Sequence, residues 1–269
     1  MRMQLKYLLA GLLLTVVAAS SALAVDVRVT ITNLAPADGI AFSPVVVAAH
    51  NGSVDLFDSG SAASAGVENV AELGGVATAM GEVTAMQASA VTTPVIANMG
   101  GFGPGIHIPG SSGSLVLSLD PTDNRYFSFL SMVVPSNDAF IGNGNPLAHE
   151  LFDAGGNFVG QDFTLVGSNI WDAGTELNGL TGALYVVGQD GALSPAEGGV
   201  VHAEDLGTFQ SEFVGQSTPP GAVFNTVPSA NAPIISFSFA VVPEPASFAL
   251  AGLGALGLIG IWHRHQPRR

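Results

Sequence analysis

No cysteine occurs in the 269 residues, so the chain can form no disulfide and offers neither a thiol nucleophile nor a thiolate metal ligand. Basic residues are nearly as scarce: seven Lys and Arg stand against 21 Asp and Glu, and five of the seven (Arg2, Lys6, Arg264, Arg268, Arg269) lie at the two ends. Residues 25–241 keep only Arg28 and Arg125 against twenty acids, a formal charge of −18. Such a surface repels phosphate backbones, which excludes nucleic acid as a partner, and it favours cations. Charged residues of either sign make up only 10% of the chain, whereas glycine is abundant at 34. Low charge with much Gly, Val, Ala, Ser and Thr suits a sheet protein with many turns and opposes the composition of a disordered chain. The length allows one large all-β domain or two small ones, and a chain of this size can hold itself by core packing without disulfides.

Several catalytic signatures are missing too. The Gly-Pro stretch 100–113 lacks the lysine and following helix of a phosphate-binding loop and reads as a surface connection. His149-Glu150 has no second histidine at the spacing of a zinc-protease helix. No Ser/His/Asp elbow is present. These absences point away from an enzyme.

What is there begins with two apolar runs, one at each end. Arg2 and Lys6 precede an apolar core over 7–19, and Ala22 and Ala24 place small residues for cleavage before Val25. Residues 1–24 therefore read as a secretory signal peptide. The alternative is an uncleaved anchor, for which the run is short. At the other end, Val242-Pro243-Glu244-Pro245 precedes an apolar run over 246–262 and a basic tail over 263–269. That run is near the lower length limit for a membrane-spanning helix, and the basic end after it should stay cytoplasmic. Residues 242–269 read as a second, independent targeting signal, to which a plain C-terminal anchor is the alternative.

Between these ends the pattern is that of strands. Residues 27–32 alternate, with Val27, Val29 and Ile31 on one face, and Leu115, Leu117 and Leu119 repeat the pattern. Ile235, Phe237 and Phe239 alternate in a last strand over 235–241. Residues 42–49 contain Pro44, which predicts an edge strand or an irregular segment. Residues 184–187 read as a short strand. Residues 62–87 leave room for a short helix only, because Gly66, Gly74, Gly75 and Gly81 interrupt every longer one.

Two carboxylate-bearing loops follow apolar runs at 127–134 and 163–170: Pro135-Ser136-Asn137-Asp138 and Trp171-Asp172-Ala173-Gly174-Thr175-Glu176. Asp172 and Glu176 sit four apart across a glycine, so a tight turn can aim both at one point. Asp138 would join them if the loops share one end of a sheet. Ca²⁺ takes several oxygens in flexible geometry. The plain alternative is that these aspartates shape turns by bonding their own backbone. His202, Glu204 and Asp205 form another set of residue types that bind metals, but without a partner loop.

The stretch PSNDAFIGN followed by IWDAGTE resembles the spondin N-terminal domain, the module of F-spondin and mindin. Residues 42–74, with Phe-Ser-Pro, His50-Asn51 and Gly60-Ser61-Ala62-Ala63-Ser64, are similar to the same family. The resemblance covers most of residues 27–241. It implies an antiparallel β-sandwich of C2-like type over 25–241, with a Ca²⁺ site whose ligands fall on Asp138, Asp172 and Glu176. Glu176 departs from the family, which usually has Asp there. The end of the chain looks like the PEP-CTERM sorting tag of Gram-negative bacteria. That resemblance implies an exosortase-type processing enzyme as a partner, cleavage near Pro243-Glu244-Pro245, transient anchoring in the inner membrane through the C-terminal helix, and release to the cell envelope or an extracellular matrix. The function implied is adhesion or matrix contact, with extracellular polysaccharide or a surface or matrix protein as partner. Two alternatives stay open: a carbohydrate-active hydrolase using Asp138 and Asp172, since glycosidases need two carboxyls, and a structural matrix protein with a vestigial site.

Overall fold

The computed structural model describes residues 24–97, 105–219 and 221–243. The leader up to residue 23, with Ala22, and the tail from Glu244 on, with Pro245 and the apolar run 246–262, lie outside the described residues. Among the described residues, no helix is long and apolar enough to cross a membrane.

The chain forms two antiparallel sheets. The first has the order β5 (Ser112–Leu119), β1 (Val25–Asn33), β11 (Pro233–Val241), β8 (Phe163–Val166). The alternation expected at both ends of the domain closes on itself here: β1 and β11 pair from Val27↔Val241 to Asn33↔Ile235. The second sheet has the order β10 (His202–Ala203), β9 (Ile170–Asp172), β7 (Ala139–Gly142), β6 (Tyr126–Val134), β3 (Val45–His50), β4 (Val91–Val95). The two-residue β2 (Ala41–Phe42) also pairs with β6.

Val27, Val29, Ile31, Leu117 and Phe237 of the first sheet share one core with Val45, Val47, Phe127, Phe129 and Ile141 of the second. The outer face of the second sheet is buried as well. Val46, Ala48, Leu130 and Phe140 pack under two helices, α1 (Ala65–Leu73) and α2 (Ala77–Met86), through Val67, Val70, Ala71, Ala79 and Val83. A sheet covered on both faces needs apolar residues at every position. Hence β3 reads as an apolar run and β6 as one broken only by Ser128 and Ser131, both buried and hydrogen-bonded, while β1, with one wet face, alternates.

Four expectations change. Residues 42–49 do not form an edge: β3 is interior, between β6 and β4. Pro44 sits just before its first residue, where no ladder hydrogen bond is lost, and the strand at the edge is β4, which carries Pro94. Residues 163–170 are not one strand: β8 belongs to the first sheet and β9 to the second, joined by a 3₁₀ turn at Gly167–Asn169. Residues 184–187 form turns, with a single bridge from Leu184 to Ser136. Residues 62–87 hold two helices. Gly74 does not break a helix but ends α1 in the left-handed conformation (φ 66°). Ser64 caps the start of α1 by accepting from the Val67 N–H, and Glu82 of α2 accepts from the Ser64 hydroxyl at 2.7 Å and the Gly66 N–H at 2.8 Å. Tertiary packing and these caps outweigh the cost of Gly81 inside α2, about 1 kcal/mol relative to Ala.

Aromatic rings join the sheets at the centre. Phe237 lies 4.5 Å from Phe129, 4.7 Å from Phe163 and 6.1 Å from Phe127, centroid to centroid. Phe237→Ala should therefore cost about 3–5 kcal/mol, read as a lower denaturation midpoint with an unchanged slope.

Candidate metal centre

Strand β6 ends at Val134 and the chain turns through Pro135–Asp138 into β7. Side chains build this turn. The Ser136 hydroxyl donates to Val133 O at 2.6 Å and accepts from the Ala139 N–H at 3.2 Å. Asn137 donates to Thr181 O and Ser194 Oγ and accepts from the Gly179 N–H. Ser136, Asn137 and Asp138 are all buried.

The next strand pair sets the site. β7 and β9 are in register with Ala139 opposite Asp172, and the Ala173 N–H donates to Asp138 O. The two aspartates predicted as ligands therefore lie beside each other at one end of the second sheet. Asp138 Oδ2 accepts three hydrogen bonds, from the Thr175 N–H (2.8 Å), the Thr175 hydroxyl (3.1 Å) and the Glu176 N–H (3.0 Å). Asp138 Oδ1 is buried with no hydrogen-bond partner. Asp172 Oδ1 accepts from the Gly174 N–H at 2.6 Å, the turn-shaping bond expected of an Asp two residues before a Gly. Its Oδ2 accepts from the Asn178 amide.

Gly174 has a backbone reason to be glycine. Its φ is +68°, and a Cβ there would stand 2.6 Å from Val200 N and O. The segment beyond it closes over the loop: Leu177 N–H donates to Pro195 O, Glu197 N–H to Thr175 O, and Gly199 N–H to Gly174 O. This segment continues into β10, where His202 pairs with Asp172 and Ala203 with Trp171. His202 Nε2 lies 3.7 Å from Asp172 Oδ2, with half of its side chain exposed.

Glu176 does not point where Asp172 does. Its N–H holds Asp138, but its carboxylate reaches Ser194 and faces Glu72. The side chain that approaches Asp172 is Glu204, which the sequence pattern marked only within the trio His202, Glu204 and Asp205 lacking a partner loop. The His202↔Asp172 pairing supplies that partner. Asn178, which the sequence reading missed, donates to Asp172 Oδ2 and, at 3.4 Å, to Glu204 Oε1. Asp205 instead caps the helix α3 (Leu206–Phe213), accepting from the Gly207 N–H.

Burial pushes the carboxyls upward. Asp138 is raised by burial, against the lowering effect of its bonds from Glu176 and Thr175. Asp172 is raised by burial and then by the charge of Asp138. Glu176 goes to about 7, by burial and then by Glu72 and Asp138. Glu204 goes to about 8, by burial and then by Asp172 and Asp138. Buried carboxylates are costly unless they are paired or coordinate a cation. Among the described residues, no three His, Cys, Asp or Glu side chains are grouped so as to hold a metal ion between them. The oxygens that would suit a hard cation are nonetheless present: Asp138 Oδ1, Glu204 Oε2 and Asn178 Oδ1 are each buried and without a hydrogen bond.

Comparison with family models matches residues 32–184 to Spondin_N. That match spans more than half of the chain. The protein belongs to the spondin N-terminal domain family. Residues 241–264 match the PEP-CTERM protein-sorting motif, which marks an exported chain sorted to the cell surface by an exosortase-type system. Comparison with curated proteins returns no match. The spondin segment holds Asp138, Asp172, Glu176 and Asn178, whereas His202 and Glu204 lie beyond it.

The crowding at Gly174 gives a direct test of how the loop is held. Gly174→Ala should cost at least about 1–2 kcal/mol from the left-handed backbone alone, and limited proteolysis should then cut within 195–204. Gly179→Ala, which meets nothing within 4 Å, should melt as the wild type does.

Proposed function

We propose that this spondin-family protein is a non-enzymatic, Ca²⁺-binding adhesion or matrix module on a C2-like β-sandwich, displayed at or released from the bacterial surface. Its partner class is extracellular polysaccharide or a surface or matrix protein. The observation that carries the calcium reading is the pair Asp138 and Asp172, 0% and 1% exposed, with Asp138 Oδ1 unpartnered. Two adjacent buried carboxylates facing a single half-exposed histidine are poorly compensated, and a divalent cation offsets both at once. The family resemblance adds Glu176 as the third ligand.

The same burial weighs against the hydrolase reading. A glycosidase needs two carboxyls able to flank a sugar, and Asp138 and Asp172 offer a substrate almost no surface. Three of the four hydrogen bonds they accept from the backbone and the Thr175 hydroxyl run to a single oxygen, Asp138 Oδ2, so that atom is committed to the turn.

Calcium should raise the melting temperature relative to chelator. The gain for a site that binds only the folded chain is about 2.7 kcal/mol when calcium is roughly a hundredfold above Kd, and affinities of roughly 10⁻⁴–10⁻³ M are usual for extracellular modules. Asp172→Asn should remove most of that gain, and magnesium should substitute poorly. Identical melting in millimolar calcium and in chelator would make the site vestigial and favour the structural-protein reading.

Sorting is tested separately. Replacing Pro243-Glu244-Pro245 with alanines should trap the protein in the envelope, because the recognition site for processing is lost while the apolar run 246–262 remains. The variant appearing in the medium at normal mass and amount would refute this.

A further inference from the structure

The segment 148–151 runs beside the start of β6, at the opposite end of that strand from Asp138. The Phe127 N–H donates to His149 O at 2.8 Å, and the Leu151 N–H to Arg125 O at 2.6 Å. The chain then turns back through the Phe152↔Phe158 bridge and enters β8, the edge strand of the first sheet. Between the segment and β8 lies a cleft of about 310 Å³. Part of its lining is aromatic: His149, Phe163 and Phe239, each half-buried and so each with surface to offer. His149 stacks flat on Phe163, with 3.7 Å between centroids and 12° between planes, and Phe163 stacks in turn on Phe237.

The polar part of the lining is rich in free acceptors. Glu150 accepts from Arg125 at Oε1 (2.7 Å) and keeps Oε2. Asp162 accepts from the Phe239 N–H at Oδ1 (2.9 Å) and keeps Oδ2. Gln161 donates its amide N–H to Val159 O (3.0 Å) and keeps Oε1. Burial lowers the His149 pKa to about 4, so its ring is neutral at ordinary pH, with one N–H donor and one acceptor nitrogen. Neither nitrogen has a hydrogen-bond partner among the described residues, and neither is sealed from solvent. A half-buried polar ring held without partners is costly and calls for an explanation. The cation beside the cleft, Arg125, is already committed to Glu150 and to Phe152 O.

This lining selects its occupant. Free carboxylate and amide oxygens need donors, so they repel carboxylate, phosphate and sulfate groups, the more so in a strongly acidic domain. Flat, half-buried rings need an apolar face. A neutral pyranose ring carries both, with C–H groups across one face and hydroxyl donors at its rim. We propose that the cleft between 148–151 and β8 holds one unit of a neutral polysaccharide, its apolar face against the aromatic rings and its hydroxyls donating to Glu150, Gln161 and Asp162. The inference rests on the polysaccharide branch of the partner class given above and supplies a site for it; it does not depend on calcium. The Arg125–Glu150 pair joins this cleft to a second hollow of about 540 Å³, lined by Asn51, Thr122, Arg125 and Asp153, where the next unit of the polymer would sit.

The test uses the full-length protein in a detergent without a sugar headgroup. Retardation in gels cast with the producing bacterium's own extracellular polysaccharide reads the partner. Calorimetry with cellohexaose, maltohexaose and mannohexaose, beside hexagalacturonate as the acidic control, reads the cleft. At least one neutral hexaose should bind, and hexagalacturonate should not. Gln161→Ala and Asp162→Asn change exposed side chains, and the second keeps the Oδ1 that the Phe239 N–H uses. Each should weaken the hexaose and the gel retardation by about threefold to tenfold, the worth of one hydrogen bond. His149→Ala should cost more than about tenfold, because stacking surface is lost with the hydrogen bonds. Should His149→Ala fold poorly, carbethoxylation of the wild type takes its place: bound hexaose should protect His149 and leave His202, at the acidic end, reactive. Retardation of the variants equal to that of the wild type, or His149 left unprotected, overturns the cleft and leaves the polysaccharide reading standing. Hexagalacturonate bound as tightly as the neutral hexaoses overturns the neutral assignment. A wild type that is neither retarded by the polysaccharide nor bound by any hexaose overturns both.

Discussion

The antiparallel pairing that sets Ala139 opposite Asp172 is the constraint on which the acidic end of this protein depends. It fixes two carboxylates on neighbouring strands, and everything around them is arranged to tolerate that. Asp138 spends one oxygen on three donors from Thr175 and Glu176, which shapes the second loop from the first. Asp172 spends one on Gly174. Hydrogen bonds to an ionised acceptor are stronger than neutral ones, so the loop is tied by the same charges that make the site costly. Each aspartate keeps one oxygen out of its backbone turn.

That arrangement requires a rigid platform. β7 and β9 are short, four and three residues, and would fray alone. They are held because β6, which pairs with β7, and β3 beyond it are buried on both faces, by the first sheet on one side and by α1 and α2 on the other. Core packing does the work that disulfides do in small secreted domains. α1 also brings Glu68 and Glu72 towards the second loop, where Glu72 meets Thr175, so acids approach the site from the helix layer as well as from the sheet.

Much of this was legible in the residues. The alternation of Val27, Val29 and Ile31, and of Ile235 and Phe237, reports the sheet with one wet face, because only such a sheet leaves a period of two. The loops carrying Asp138 and Asp172 were legible through their motifs, but their meeting stayed conditional, because it depends on the pairing of β7 with β9. Pro44 misled because a proline's effect depends on its place relative to the ladder: one residue before Val45 it costs nothing. The run 163–170 concealed a change of sheet, because both halves are apolar and periodicity does not register which sheet a strand joins. Glu204 was illegible for a deeper reason. Nothing in a lone glutamate beside a two-residue strand shows that β10 pairs with β9, and a contact spanning residues 172 to 202 is set by tertiary register alone. The bond from Ser194 to Glu176 was illegible as well, since spacing across a turn says where a Cα sits and not which neighbour a longer side chain reaches.

A chain without cysteine must hold its last third by weaker ties. The segment 174–177 is bonded to 195–199, and β10 adds only two residues of ladder. Both contacts are backbone hydrogen bonds near the surface, each worth about 1 kcal/mol net. A cation held between Asp138 and Asp172 would tie two loops that are far apart in sequence, and closing such a loop is costly to the unfolded chain in the way a cross-link exploits. Unlike a disulfide, this tie depends on the ion concentration around it. For a protein sorted to the cell surface, the difference has a consequence: the loop that carries Asp172, and the segment 195–199 bonded to it, would be held more loosely where free calcium is scarce. Folding of the sheets does not wait on that step, because their apolar core is complete without it. A cation there would govern the acidic end alone, and the core governs the rest.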